Sequence, residues 1–222
     1  MPKKFWPVLT VIFIFAFTAP ALAGDLLVLV DLSDSPAHVK SAALAARMGD
    51  YAAGKIEKMR LGETVRVRTF GQAGSAGNWL ALDFRLSRRA GGTPKEVAAA
   101  VKLVLANLPK LVAQKKLALQ HRTQIIRSLH DLSGTVLRPG SSLLLLSDLM
   151  EFSPDADCAR LLKNKHPQLP PPPSGFLKGV EIIALGAGHG LATVAQSRRL
   201  EAMWRAWFKR AGAAGFHYLP KL

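Results

Sequence analysis

Residues Asp25 to Pro36 read DLLVLVDLSDSP. The continuous apolar, partly β-branched run Asp25 to Val30 (DLLVLV) suits a strand buried on both faces of a parallel sheet. It stops at Asp31, before the polar turn Ser33-Asp34-Ser35 and Pro36. A strand hidden on both faces needs helices above and below it, so this stretch points to an α/β architecture. Two further runs have the same character, Ser141 to Ser147 (SSLLLLS), which ends at Asp148, and Val180 to Leu185 (VEIIAL).

The segments between these runs complete the pattern. Pro36 suits a first helical position, and Val39, Ala43, Leu44, Ala46, Ala53 and Ile56 mark a helix reaching about Arg60. Thr64 to Phe70 (TVRVRTF) and Trp79 to Leu86 (WLALDFRL) both alternate across the Gly-rich stretch Gly71 to Gly77, which predicts a hairpin at a sheet edge. Thr93-Pro94-Lys95-Glu96 has the capping-box spacing of a second helix, which Pro109 should end or kink. A third helix is expected from Thr123 to near Gly134, with Ile125, Ile126, Leu129 and Leu132 as its apolar stripe.

A short helix over Ala156 to Lys163 is followed by a stiff connector, Pro167 to Gly175 (PQLPPPPSG). Arg198 to Arg210 forms a last helix with Leu200, Met203, Trp204, Trp207 and Phe208 on its core face, and Phe216 to Leu219 forms a last strand. The expected fold is a doubly wound α/β sheet, mostly parallel, with an antiparallel edge strand and helices on both faces.

Composition narrows the function. At 49% hydrophobic and 20% charged over 222 residues, the chain is neither disordered nor collagen-like. Thirty Lys and Arg against 15 Asp and Glu leave a formal charge of +15, which favours anionic partners. Cys158 is the single cysteine, which excludes an intramolecular disulfide framework and multi-cysteine metal sites; the six histidines form no HExxH motif. Lys3 and Lys4, the apolar run Phe5 to Thr18 and Ala21-Leu22-Ala23 read as a secretory signal peptide over residues 1–23, with an uncleaved anchor as the alternative. The mature domain then covers residues 24–222. An exported chain with one cysteine fits a bacterial periplasmic or secreted protein.

In doubly wound sheets, ligands bind beyond the carboxyl ends of the strands, where the connections diverge. Asp31 and Asp148 both close buried strands. If those strands are neighbours, their carboxylates meet there with the hydroxyls of Ser33, Ser35 and Thr123. Such oxygen donors suit a hard cation, Mg²⁺ above all, with Mn²⁺ or Ca²⁺ as alternatives, and a partner's carboxylate can complete the ion's shell. A plainer reading makes Ser33 and Ser35 a turn, Thr123 a helix N-cap and Asp148 a strand-end residue. Gly186-Ala187-Gly188-His189-Gly190 carries Leu191 where GxGxxG requires its third glycine, so it reads as a rim loop and not a nucleotide site.

At Asp31-Leu32-Ser33-Asp34-Ser35, Thr123 and Asp148 the sequence resembles the von Willebrand factor A domain family, whose metal-ion-dependent adhesion site is written DxSxS, then Thr, then Asp. The element order over nearly all of residues 24–222 is similar as well. The resemblance implies a non-enzymatic protein-binding module with metal ligands Asp31, Ser33, Ser35, Thr123 and Asp148. It implies a protein partner presenting a carboxylate; for an exported module the expected setting is an envelope, secretion or conjugation assembly. His121 and Arg122 depart from the pattern by setting cationic groups before Thr123.

Two rivals stand beside this reading, a metal-free structural scaffold and a metal-dependent phosphatase or hydrolase. The dehalogenase-type DxD that a phosphatase would need is broken by Ser33. The basic faces also suit an anionic envelope surface, and no specific nucleic acid is expected, since no aromatic pattern interleaves them.

Overall fold

A computed structural model describes residues 24–72, 80–133 and 137–220. Six strands form one sheet: β1 (Leu26–Asp31), β2 (Thr64–Phe70), β3 (Ala81–Arg85), β4 (Ser142–Leu146), β5 (Glu181–Leu185) and β6 (Gly215–Leu219), in the order β3-β2-β1-β4-β5-β6. Every pairing is parallel except β2 with β3. The chain is therefore a Rossmann-like, doubly wound α/β protein with an antiparallel edge strand. The chain runs outward from β1 through β2 to β3, then crosses back to β4 on the other side of β1 and runs outward again through β5 to β6, so the switch point lies between β1 and β4.

The apolar runs become central strands because both faces of the sheet are covered. In β1, Leu27 and Leu29 join one core while Leu26, Val28 and Val30 join the other; β4 divides likewise, with Leu143 and Leu145 opposed to Leu144 and Leu146. The second core is closed by α1 (Ala42–Ile56) and α2 (Pro94–Ala106), followed by the short α3 (Leu108–Ala113). The first is closed by α4 (Ile125–Ser133), the four-residue α5 (Cys158–Leu161) and α6 (Val194–Arg210). Trp204, Trp207 and Phe208 of α6 are fully buried, and each such ring contributes roughly 1.5–3 kcal/mol or more by leaving water.

Several boundaries differ from the sequence expectation, each for a local reason. Pro36 has ψ 138°, an extended conformation, and precedes a single 3-10 turn over Ala37–Val39; α1 starts only where the Ser41 hydroxyl accepts from the Leu44 N–H. Its buried stripe is Ala45, Met48, Gly49, Ala52, Ala53 and Ile56, while Ala43 is exposed. At Gly49, α1 and α2 approach closely, since a Cβ there would lie 3.0 Å from the Lys102 carbonyl oxygen.

The capping box at Thr93 and Glu96 forms as expected, and α2 ends before Pro109, which sits in the first turn of α3. The last helix begins four residues earlier than expected, because Thr193 and Gln196 form a second capping box. Cys158 is buried and free. Residues 73–79 between β2 and β3, with Trp79 among them, and the expected helix end at Gly134 lie outside the described residues, as do residues 1–23, where a signal peptide is expected.

Candidate functional site at the carboxyl edge of the sheet

Parallel pairing of β1 with β4 runs to Val30 opposite Leu146, so the next residues on each strand, Asp31 and Ser147, face one another at the switch point. Asp31 is fully buried. Its Oδ2 accepts from the Ser147 hydroxyl at 2.7 Å and its Oδ1 from the Ser33 N–H at 2.8 Å. Asp148, one residue beyond Ser147, is also buried, and its Oδ1 accepts from the Met150 N–H at 2.9 Å. The hydroxyls of Ser33 and Ser35 lie 3.3 Å apart.

Burial and then the negative charge of Asp148 push the Asp31 carboxyl up to about 7, against the pull of its bonds from Ser147 and Ser33. Burial likewise raises Asp148, while the Met150 N–H, the Ser35 hydroxyl and His189 draw it partly back. Neither carboxylate forms an ion pair with a described Lys or Arg.

Thr123 reaches the same edge by another route. The segment after α3 forms a parallel bridge between Ser33 and Gln120, and then an antiparallel bridge between Thr123 and Phe152, with the Phe152 N–H donating to the Thr123 carbonyl at 2.7 Å. The segment thus spans the loops that follow β1 and β4. Thr123 is buried but is not the helix cap that the plainer reading suggested, since α4 begins at Ile125. Asp31, Ser33, Ser35 and Asp148 are joined by direct contacts or mutual electrostatics. Thr123 shares their edge without a side-chain hydrogen bond to any of them. His121 and Arg122 point to solvent: the His121 side chain is 94% exposed and lies 3.5 Å from the Asp34 carboxylate. They bring no cation to the buried pair.

Sequence reasoning missed four participants. Ser147 donates to Asp31, and its position directly before Asp148 in LLLLSD was the available signal. His38 is buried, with Nε2 2.8 Å from the Asp31 carbonyl oxygen. A carbonyl only accepts, so Nε2 carries the proton, and burial holds this imidazole down at about 4 and neutral. Glu151 is buried beneath α4 and accepts from the Ile126 N–H at 3.1 Å, which ties the Thr123 segment to the loop after Asp148. Gln120 closes the rim by accepting from the Gln72 N–H. Spacing could not reveal the last three, because their partners lie 7 to 48 residues away.

The Gly186–Gly190 loop borders the site, with the Gly188 N–H donating to the Asp148 carbonyl at 2.7 Å. Between this loop and α1 lies a cleft of about 830 Å³ lined by Ser41, Leu44, Arg47, His189, Leu191 and Val194. No protein-family model matches the chain, and no curated protein matches it either.

The donor chemistry fits a hard cation. Two carboxylates held together in a buried crevice repel each other, and neutral hydroxyl oxygens surround them. Among the described residues no three His, Cys, Asp or Glu side chains converge, so the two carboxylates would need the hydroxyl oxygens to complete a cation's shell.

Proposed function

We propose that this chain is an exported, non-enzymatic docking module of von Willebrand factor A type. Asp31, Ser33, Ser35 and Asp148, with Thr123 from the adjoining segment, would hold Mg²⁺, or Mn²⁺ or Ca²⁺ in its place. The observation that carries this reading is the meeting of two buried carboxylates at the switch point, one raised to about 7, with two serine hydroxyls 3.3 Å apart beside them and no described Lys or Arg paired to either acid. A bound cation supplies positive charge that keeps both acids ionised and attracts a further carboxylate. The serine and threonine ligands are neutral, so that charge is not cancelled within the site, and an acidic side chain of a protein partner completes the arrangement. The cleft beside His189 and Val194 gives the rest of such a partner a surface; Val194 is 70% exposed.

The leader pattern supports a periplasmic or secreted bacterial setting, and an envelope, secretion or conjugation assembly is the context proposed. Cation binding to the folded state raises stability by RT ln(1 + [L]/Kd), about 2.7 kcal/mol at a hundredfold excess over Kd. Thermal melting should therefore rise with Mg²⁺ or Mn²⁺. The response should vanish when Ser33→Ala and Ser35→Ala are combined, which removes two oxygen ligands without changing charge. Asp31→Asn should lose it as well. A wild-type melt indifferent to both cations up to tens of millimolar, or a double serine variant that still responds fully, would leave the fold as a metal-free scaffold.

A further inference from the structure

Several basic side chains on this surface are neutralised within the molecule: Arg66 by Asp25, Arg68 by Asp83, Lys102 by Asp50, Arg127 by Asp131 and Arg205 by Glu201. One group is not. Between α6 and the segment entering the proline connector runs a cleft of about 530 Å³, with Lys165 on one wall and Arg199, Lys209 and Arg210 on the other. No acidic residue lines it, and none of the four cations forms an ion pair with a described acid. Arg199 is held in place by donating to the Leu162 carbonyl at 3.0 Å. Four like charges around one concavity repel each other, so an anion from outside the molecule is the natural counterpart.

The shape narrows what that anion is. Arg199 and Arg210 stand eleven residues apart on α6, about 16 Å along the axis at 1.5 Å per residue. Ala202 and Ala206, with Met203 sunk into the core beside them, line the cleft between them, so the floor between the cationic ends is low and a main chain can lie close to the helix. An extended peptide covers about 16 Å in five residues at roughly 3.3 Å each, and its alternate side chains point to the same side. Two other polyanions fit less well. The imidazole of His166 is the single aromatic ring among the lining residues, so no series of rings is present to stack successive bases. The large exposed apolar residues, Leu61, Leu103, Phe152 and Val194, all lie elsewhere, so no wedge enters a bilayer here.

We propose that this cleft is a second docking site, which binds an extended acidic segment of a protein partner through carboxylates at both ends of the Ala202–Ala206 floor. It lies on the outer side of α6, is built from residues separate from the Asp31–Asp148 edge, and does not depend on a cation there.

The test uses purified protein and a fluorescein-labelled hexaglutamate peptide followed by anisotropy, with hexaglutamine, an oligo-dT strand and phosphatidylglycerol vesicles as comparators. Hexaglutamate should bind in a salt-dependent way and hexaglutamine should not. Lys209→Glu combined with Arg210→Glu, both at exposed positions, should weaken hexaglutamate binding about tenfold or more. Arg88→Glu with Arg89→Glu, an equal charge change at exposed positions after β3, should alter it less than about twofold. Equal losses in both double variants would reduce the effect to bulk charge and overturn the site. So would hexaglutamate binding that ignores the α6 variant. Tighter binding of oligo-dT or vesicles that is lost in the α6 variant would give the cleft to nucleic acid or lipid and overturn the peptide assignment.

Discussion

Glu151 carries one carboxylate oxygen bonded to the Ile126 N–H and one, Oε1, buried without a hydrogen bond. Burial, with Asp155 adding to it, moves its pKa from the usual 4.5 up to about 7, against the pull of Ser153 and of the α4 backbone. The folded protein therefore keeps this proton between about pH 4.5 and 7 while the unfolded chain has released it. In that window stability falls as pH rises. Asp31 acts in the same direction; His38, lowered to about 4, acts in the opposite one, because its contribution is lost as pH falls below 6.5. Glu151→Gln removes one titration and leaves those of Asp31, Asp148 and His38, so the difference between variant and parent isolates it. Going from pH 5 to pH 8, the variant should gain on the parent by about 2 kcal/mol in urea unfolding, whatever fixed cost the amide brings. A pH-independent difference between the two would show that Glu151 is ionised in the fold.

At the scale of elements, α6 holds the candidate site from behind. Its Trp204 Nε1–H donates to the Leu149 carbonyl at 2.9 Å, one residue past Asp148, and its Trp207 Nε1–H donates to the Pro170 carbonyl at 2.8 Å. The apolar stripe that covers the sheet thus also pins the loop after β4 and the proline connector. Trp204→Phe keeps most of the ring but leaves the buried Leu149 carbonyl with the Glu151 N–H at 3.1 Å and the long 3.7 Å contact from the Cys158 thiol. Losing one of the hydrogen bonds to this carbonyl costs about 0.5–1.5 kcal/mol, and the smaller ring adds a cavity cost. Thr193→Ala removes only the cap bond to the Gln196 N–H at an exposed helix start, which costs about 1 kcal/mol. Denaturant melts should rank Trp204→Phe clearly above Thr193→Ala in destabilisation; the reverse order would mean that the indole bond does not hold the loop.

For the molecule as a whole, the docking and hydrolase readings separate on turnover. Both Asp31 oxygens already accept hydrogen bonds, and the position two residues on is Ser33, which is neutral. Purified protein should therefore release no phenol from generic phosphate esters with Mg²⁺ or Mn²⁺ present. Metal-dependent turnover abolished by Asp31→Ala would replace the docking module with an enzyme. The fold was legible because three runs, LLVLV, SLLLL and EIIAL, are apolar at every central position, and only a sheet covered on both faces buries such runs. Helix starts were less legible: Ser41 and Thr193 act as caps only in a backbone conformation that spacing does not reveal. At the candidate site, the sequence by itself determined which residues end the strands, since a buried apolar run that stops at an acid places that acid at a strand's carboxyl edge. Tertiary structure decided that β1 and β4 are neighbours, that Asp31 and Asp148 are therefore buried together, and that Ser147, His38 and Glu151 surround them. Strand order and desolvation arise from contacts between residues distant along the chain, and no local pattern encodes those contacts.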